Sequence, residues 1–163
     1  MDNVYLLIGG NLGNRVENLA NALTLLGKRA GKISRCSAIY QTAAWGIIDQ
    51  KPFLNQVVEL STNLDAHKLL DVILQVEKEL GRVRREKNGP RLIDIDILFF
   101  GREIINDQRL TIPHPLLHVR RFALAPMNNI RPDLEHPLLH KTIGMLLAEC
   151  ADTLEVQIYT ASL

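Results

Sequence analysis

What is scarce in this sequence narrows its possibilities first. Cysteine occurs twice in 163 residues, at Cys36 and Cys150. Two isolated thiols give neither a disulfide framework nor zinc-ligand spacing, so a reduced, cytoplasmic setting is expected. No apolar run approaches the roughly 20 residues that a bilayer-spanning helix needs. Met1-Asp2-Asn3 opens without a basic stretch leading into an apolar one, so no export signal is expected. A balance of 19 Lys and Arg against 18 Asp and Glu leaves a net charge of +1. That supplies no overall field for nucleic acid or a membrane surface, and neither partner is expected. Tryptophan occurs once, at Trp45. There is no Walker-type glycine loop, so any phosphate must be held by other means. There is also no internal repeat, low-complexity tract or shift in composition, and one domain over residues 1–163 is expected.

What is present is concentrated between Arg82 and Phe100. A basic segment with Arg82, Arg84, Arg85, Lys87 and Arg91 runs through Gly89-Pro90 into Ile93-Asp94-Ile95-Asp96-Ile97-Leu98-Phe99-Phe100. Side chains alternate across an extended chain. Ile93, Ile95, Ile97 and Phe99 are therefore expected on one face, with Asp94 and Asp96 on the other. Two residues of strand separate the aspartates by about 6.6 Å. That suits two carboxylates holding one hard cation or two adjacent ones. The alternative is a solvated strand face neutralised by nearby arginines. Aspartate is disfavoured in strands, so two in a strongly β-forming run favour the cation. Cations beside a metal make a site for a strongly anionic ligand, and polyphosphate fits.

The rest of the chain alternates strands and helices. Val4–Ile8 reads as a buried strand, followed by the glycine loop Gly9-Gly10-Asn11-Leu12-Gly13-Asn14. Asn14 with Glu17 resembles a capping box, and Val16, Leu19, Ala20, Leu23 and Leu26 recur at helical spacing. Ile33–Thr42 reads as one strand and Phe53–Leu60 as another. Asp65 is a helix N-cap, Leu69, Ile73, Val76 and Leu80 form the apolar stripe, and Gly81 is the stop. Glu103–Asn106 reads as an edge ribbon, Arg121–Asn129 and Ile143–Cys150 as helices, and Glu155–Ile158 as a possible last strand. His114 sits between Pro113 and Pro115, which hold its backbone extended. This order predicts an α+β chain with a ferredoxin-like βαββαβ core. Helices would cover one face of an antiparallel sheet, followed by a C-terminal helical and irregular extension. Asp94 and Asp96 would project from the partly open second face. An RNA-binding module of this shape would display aromatic residues there, and the acidic pair argues against one.

Lys87-Asn88-Gly89-Pro90-Arg91-Leu92-Ile93-Asp94-Ile95-Asp96-Ile97-Leu98 and Arg109-Leu110-Thr111-Ile112-Pro113-His114 resemble the signatures of the 6-hydroxymethyl-7,8-dihydropterin pyrophosphokinase family. The resemblance implies the same fold and transfer of pyrophosphate from ATP to a reduced pterin alcohol in folate biosynthesis. It implies Asp94 and Asp96 as ligands of two Mg²⁺, and Arg82 and Arg91 as catalytic arginines on a mobile loop. It implies Glu77, Arg84, Lys87, Arg91, Ile97, Arg109, Thr111, His114 and Arg120 as ATP contacts. Glu77 read by itself is equally a surface carboxylate. Thr42, Ala43, Trp45, Phe53, Asn55 and Phe122 would form the pterin pocket. Aromatic rings suit the flat heterocycle, and an amide suits its donor–acceptor edge. The family pattern differs here at Gly10, Ala43, Ala44, Leu74 and Pro115. A monomer is expected.

Overall fold

The computed structural model of the chain describes residues 2–43, 51–81 and 92–160. Apolar residues on both sides of β1 (Asp2–Gly10) make it the central strand. It pairs antiparallel with β4 (Phe53–Thr62) on one side and β5 (Asp94–Phe100) on the other. Beyond β4 lie β2 (Lys32–Cys36) and β3 (Tyr40–Thr42), both paired with it, and β8 (Val156–Ile158) extends β3. With β2 and β3 counted as one interrupted edge, the sheet has the strand order of a ferredoxin-like core.

The stretch expected as a single strand over Ile33–Thr42 is thus two strands with a jog between them. Ser37 makes the jog: its N–H donates to the Val57 carbonyl at 2.8 Å, and its Oγ accepts from the Val57 N–H at 2.9 Å. Its own carbonyl accepts from the Gln56 side chain at 2.9 Å. A buried serine satisfies groups the ladder leaves over at an interruption.

Two helices follow their sequence signals. In α1 (Arg15–Arg29), Asn14 accepts from the Glu17 N–H at 3.1 Å. In α2 (Ala66–Glu79), Asp65 accepts from the Lys68 N–H at 2.9 Å. Both pack on the sheet face formed by Val4, Leu6, Ile8, Leu54, Val58, Ile95 and Ile97. The buried seam of α1 is Leu19, Ala22 and Leu26; Val16 and Ala20, expected in it, are exposed. Ala22, fully buried, stands in the seam instead.

The opposite face is more covered than the sequence suggested. The 3₁₀ turn Leu117–Val119, α3 (Arg121–Ile130) and α4 (Ile143–Glu149) bring Leu117, Ala123, Leu124, Met127, Ile143 and Leu146 down onto Tyr5, Leu7, Val57, Leu98 and Phe99. A second core results, and the C-terminal extension supplies most of its outer layer. Beside β5, a ribbon of β6 (Ile105–Asn106) and β7 (Thr111–Ile112) turns on Asp107, whose carboxylate accepts from the Arg109 and Leu110 N–H groups at 2.9 Å each.

Strict alternation fails at one place in β5. Leu6 lies opposite Ile97 and Tyr5 opposite Phe99, so Leu98 is an extra residue in a β-bulge. Phe99 therefore belongs with Tyr5 and Leu7 in the second core, not with Ile93, Ile95 and Ile97 as alternation predicts. Phe100 takes the helix-side place opposite Val4.

Candidate active site

The second sheet face is sealed at one end and open at the other. Across three strands at the open end, Gly9 of β1 lies opposite Asn55 of β4 and Asp94 of β5. One step further in, Leu7 lies opposite Asp96. All five line a cavity of about 370 Å³. Thr42, Ala43 and Phe53 form one wall; Leu116, Val119, Arg120 and Phe122 form another; Leu154 of the C-terminal tail completes it. Both aspartates thus open into the same cleft, each half-buried, while Ile95 between them is buried on the other side.

The cleft floor depends on a close backbone approach. A Cβ built on Gly9 would lie 2.2 Å from Oδ1 of Asn55. Only glycine lets the amide of Asn55, 6% exposed, lie flat across β1. The walls are aromatic and cationic together, because the Arg120 guanidinium stands 5.5 Å from the centre of the Phe122 ring.

His114 stands within electrostatic reach of Asp94 and Arg120. Its N–H donates to the Leu98 carbonyl at 3.0 Å, tying the segment after β7 to the bulge. Its Nδ1 accepts from the Leu116 N–H at 3.1 Å, which leaves the proton of the neutral ring on Nε2. Burial, then the positive charge of Arg120, lowers its pKa to about 4 against a smaller opposing pull from Asp94. The imidazole is therefore a neutral donor at physiological pH.

The sequence-derived assignments separate into groups. Thr42, Ala43, Phe53, Asn55, Asp94, Asp96, Arg120 and Phe122 meet in the cleft. Thr111, in β7, and His114 do not line the cavity, though His114 lies close enough to Asp94 and Arg120 to feel their charges. Arg109 is turned to Asp71, 2.5 Å away on α2. The Ile97 side chain is 5% exposed under the helices, on the sheet face opposite the aspartates, and does not enter the cleft. Glu77 is 3% exposed, which excludes a surface carboxylate. Its Oε2 accepts from the Ile95 N–H at 2.9 Å, strapping α2 to the residue between the two aspartates. Trp45, Arg82, Arg84, Lys87 and Arg91 lie outside the described residues. Gly9, expected in a glycine loop, belongs instead to β1, while Leu7, Leu116, Val119 and Leu154 were missed by sequence reasoning. The apolar ones carry no chemical signal of their own, and the pairing of Gly9 with Asn55 is set by the register between β1 and β4.

Residues 5–132 match the family model of 7,8-dihydro-6-hydroxymethylpterin-pyrophosphokinase (HPPK). The 2-amino-4-hydroxy-6-hydroxymethyldihydropteridine pyrophosphokinase of Bacillus subtilis is 42% identical over 137 residues, covering 83% of this chain and 82% of that protein. The chain belongs to the HPPK family. The pyrophosphokinase of the same name from Aquifex aeolicus is 41% identical over 143 residues, 88% of this chain and 89% of that one. The folic acid synthesis protein fol1 of Pneumocystis carinii is 38% identical over 149 residues. This HPPK-family chain spans only 20% of that protein's length. The fold also matches the wild-type HPPK-DHPS of Plasmodium falciparum, with a TM-score of 0.75 at 22% identity, covering 91% of this chain and 43% of that one. Among the described residues of this HPPK-family chain, no helix is long and apolar enough to cross a membrane.

Proposed function

We propose that this chain, acting as a single domain, transfers the pyrophosphoryl group of ATP to the hydroxymethyl group of 6-hydroxymethyl-7,8-dihydropterin, giving AMP and the pterin diphosphate of folate biosynthesis. The observation that carries the reading is one cleft in which two strand aspartates face an amide and two phenylalanines, in a chain of the HPPK family. The substrate hydroxyl oxygen attacks the β-phosphorus, and the bond from that phosphorus to the α–β bridging oxygen breaks. AMP leaves with the electron pair, and the hydroxyl proton passes to solvent or a base. Reactions of this class proceed by alignment and charge stabilisation more than by covalent participation of the protein.

Asn55 would pair with the donor–acceptor edge of the pterin, while Phe53 and Phe122 would pack on its faces. Arg120, stacked on Phe122, joins the pterin wall to the phosphate side, so one residue pair would align both substrates. His114, neutral with its proton on Nε2, would donate to a phosphate oxygen without adding charge. Arg82 and Arg91 would neutralise the charge that builds on the departing phosphate oxygen.

Two carboxylates with oxygen-only donors fit Mg²⁺, which keeps several waters and shares its coordination with substrate phosphates. We assign Asp94 and Asp96 as the holders of two such ions. Ions held there would supply positive charge that offsets that of the triphosphate.

The test is product identification after incubation with ATP, Mg²⁺ and the reduced pterin alcohol. AMP and a pterin diphosphate are expected, and chelation by EDTA should abolish their formation. ADP, free pyrophosphate or no turnover would overturn the reading. Phe122→Ala is expected to weaken the pterin about tenfold or more, with ATP affinity little changed. Direct titration of each ligand checks it.

A further inference from the structure

The C-terminal tail reaches the cleft from beyond the span that matches the family, which ends at residue 132. Leu154 is half-buried and lines the cavity, yet it belongs to neither apolar core. Its position is held from both sides. Before it, Asp152 uses its two carboxylate oxygens on different elements: Oδ2 accepts from the Arg121 N–H at 3.1 Å and Oδ1 from the Leu154 N–H at 2.9 Å. The Arg121 side chain answers by donating to the Asp152 and Cys150 carbonyls at 2.9 and 3.1 Å. After it, the Glu155 carbonyl accepts from Oγ1 of Thr42 at 3.1 Å, and Val156 pairs with Thr42 in the β3–β8 ladder. The residues held by these bonds adjoin the cleft: Arg121 precedes Phe122, and Thr42 precedes Ala43.

We propose that Leu154 is a specificity-determining residue of the pterin subsite and that Asp152 is the positioning residue that sets it against Phe122. The inference rests on the reading of the cleft as the pterin site. A side chain serving only stability would join one of the cores; this one is presented to the cavity by a carboxylate that also caps the start of α3. An apolar wall between Thr42 and Phe122 narrows the cleft to a flat heterocycle and contacts its face without competing for the hydrogen bonds of Asn55.

The test uses the full chain and two separate titrations: 6-hydroxymethylpterin, followed by its own fluorescence in the presence of a saturating non-hydrolysable ATP analogue, and the analogue alone. Leu154→Ala is expected to weaken the pterin about tenfold, the scale of a lost apolar contact in a specificity pocket, with nucleotide affinity within about twofold. Leu154→Trp, which fills the cleft, is expected to weaken it further; if that variant does not fold, Leu154→Ala decides. Asp152→Ala should reproduce the pterin defect in part while raising KM for the pterin more than it lowers kcat. Asp152→Asn, which keeps one acceptor oxygen, should recover part of the loss. Unchanged pterin affinity in Leu154→Ala, or equal weakening of pterin and nucleotide, would overturn the proposal. Phe53→Ala serves as the reference: if it weakens the pterin and Leu154→Ala does not, this inference alone fails. If neither weakens it, the cleft assignment fails with it.

Discussion

At the scale of single residues, the site depends on what each position lacks as much as on what it carries. Gly9 lacks a side chain, and the amide of Asn55 occupies the space a methyl group would need. Gly9→Ala is therefore expected to displace Asn55 and weaken pterin binding about tenfold or more. On an Asn55→Ala background the same substitution should cost less, the Leu54 carbonyl at 3.1 Å being the close contact that remains, and a double-mutant cycle on pterin affinity checks the coupling. Asp96 is half-buried at the cleft and replaceable by a side chain of the same shape. Asp96→Asn should lower turnover about 100- to 1000-fold, on the scale of losing one preorganised charge partner in a transition state. Its thermal unfolding should be close to that of the parent; near-normal turnover would remove Asp96 from the metal site.

At the scale of elements, the junction of α2 with β5 matters most. Strand β5 is an edge of the main sheet, and its Ile95 N–H points away from β1. Glu77 takes that donor inside the protein, so a helix carboxylate sets the course of the strand that carries both aspartates. Glu77→Ala leaves a buried N–H without that acceptor and should destabilise the fold by about 1–3 kcal/mol. Glu77→Gln, which retains an acceptor oxygen, should lose less. Denaturant midpoints at unchanged slope measure the difference. The bulge at Leu98 is the second device of this strand. It returns Phe99 to the cleft-side face, where its ring meets Tyr5 edge-on at 6.3 Å and His136 at 5.6 Å, and so closes the apolar end behind the aspartates.

At the scale of the molecule, two cores share one sheet and the second contains polar groups that respond to pH. Beneath α3, Tyr5 donates to Glu59 at 2.5 Å, Ser34 donates to the other oxygen of Glu59 at 2.7 Å, and Arg131 donates to the Tyr5 hydroxyl. Burial raises the pKa of Tyr5 to about 12, with the bond to Glu59 adding to it. His114 and His136 are both pushed below the ordinary histidine pKa, mainly by burial. The sign follows: as pH falls below 6.5 the unfolded chain binds protons at these rings before the folded chain does. Stability should therefore decrease from pH 6.5 toward pH 4, where His114 titrates in the folded state, and this contribution should flatten below that. His114→Gln should show a shallower fall across the same window in denaturant unfolding measured at successive pH values. An unchanged slope would mean that His114 is not held neutral.

Much of this was legible locally. Alternation in β5 is a property of any extended chain, so Asp94 and Asp96 had to share a face whatever covered it. Caps at Asn14 and Asp65 are bonds within one turn, and both formed as their sequences indicated. Phe53, Asn55 and Phe122 were found through a family resemblance, since an apolar ring in a strand or helix says nothing of which cavity it faces. Tertiary structure alone decided the rest. Whether a strand bulges at Leu98 or breaks at Ser37 depends on the partner's register, which lies tens of residues away. The covering of the second sheet face by α3 and α4, and the delivery of Leu154 to the cleft by Asp152, are long-range packing outcomes. Side-chain alternation and capping are short-range and survive in the linear chain; the walls of a cavity are drawn from distant segments and exist only once those segments meet.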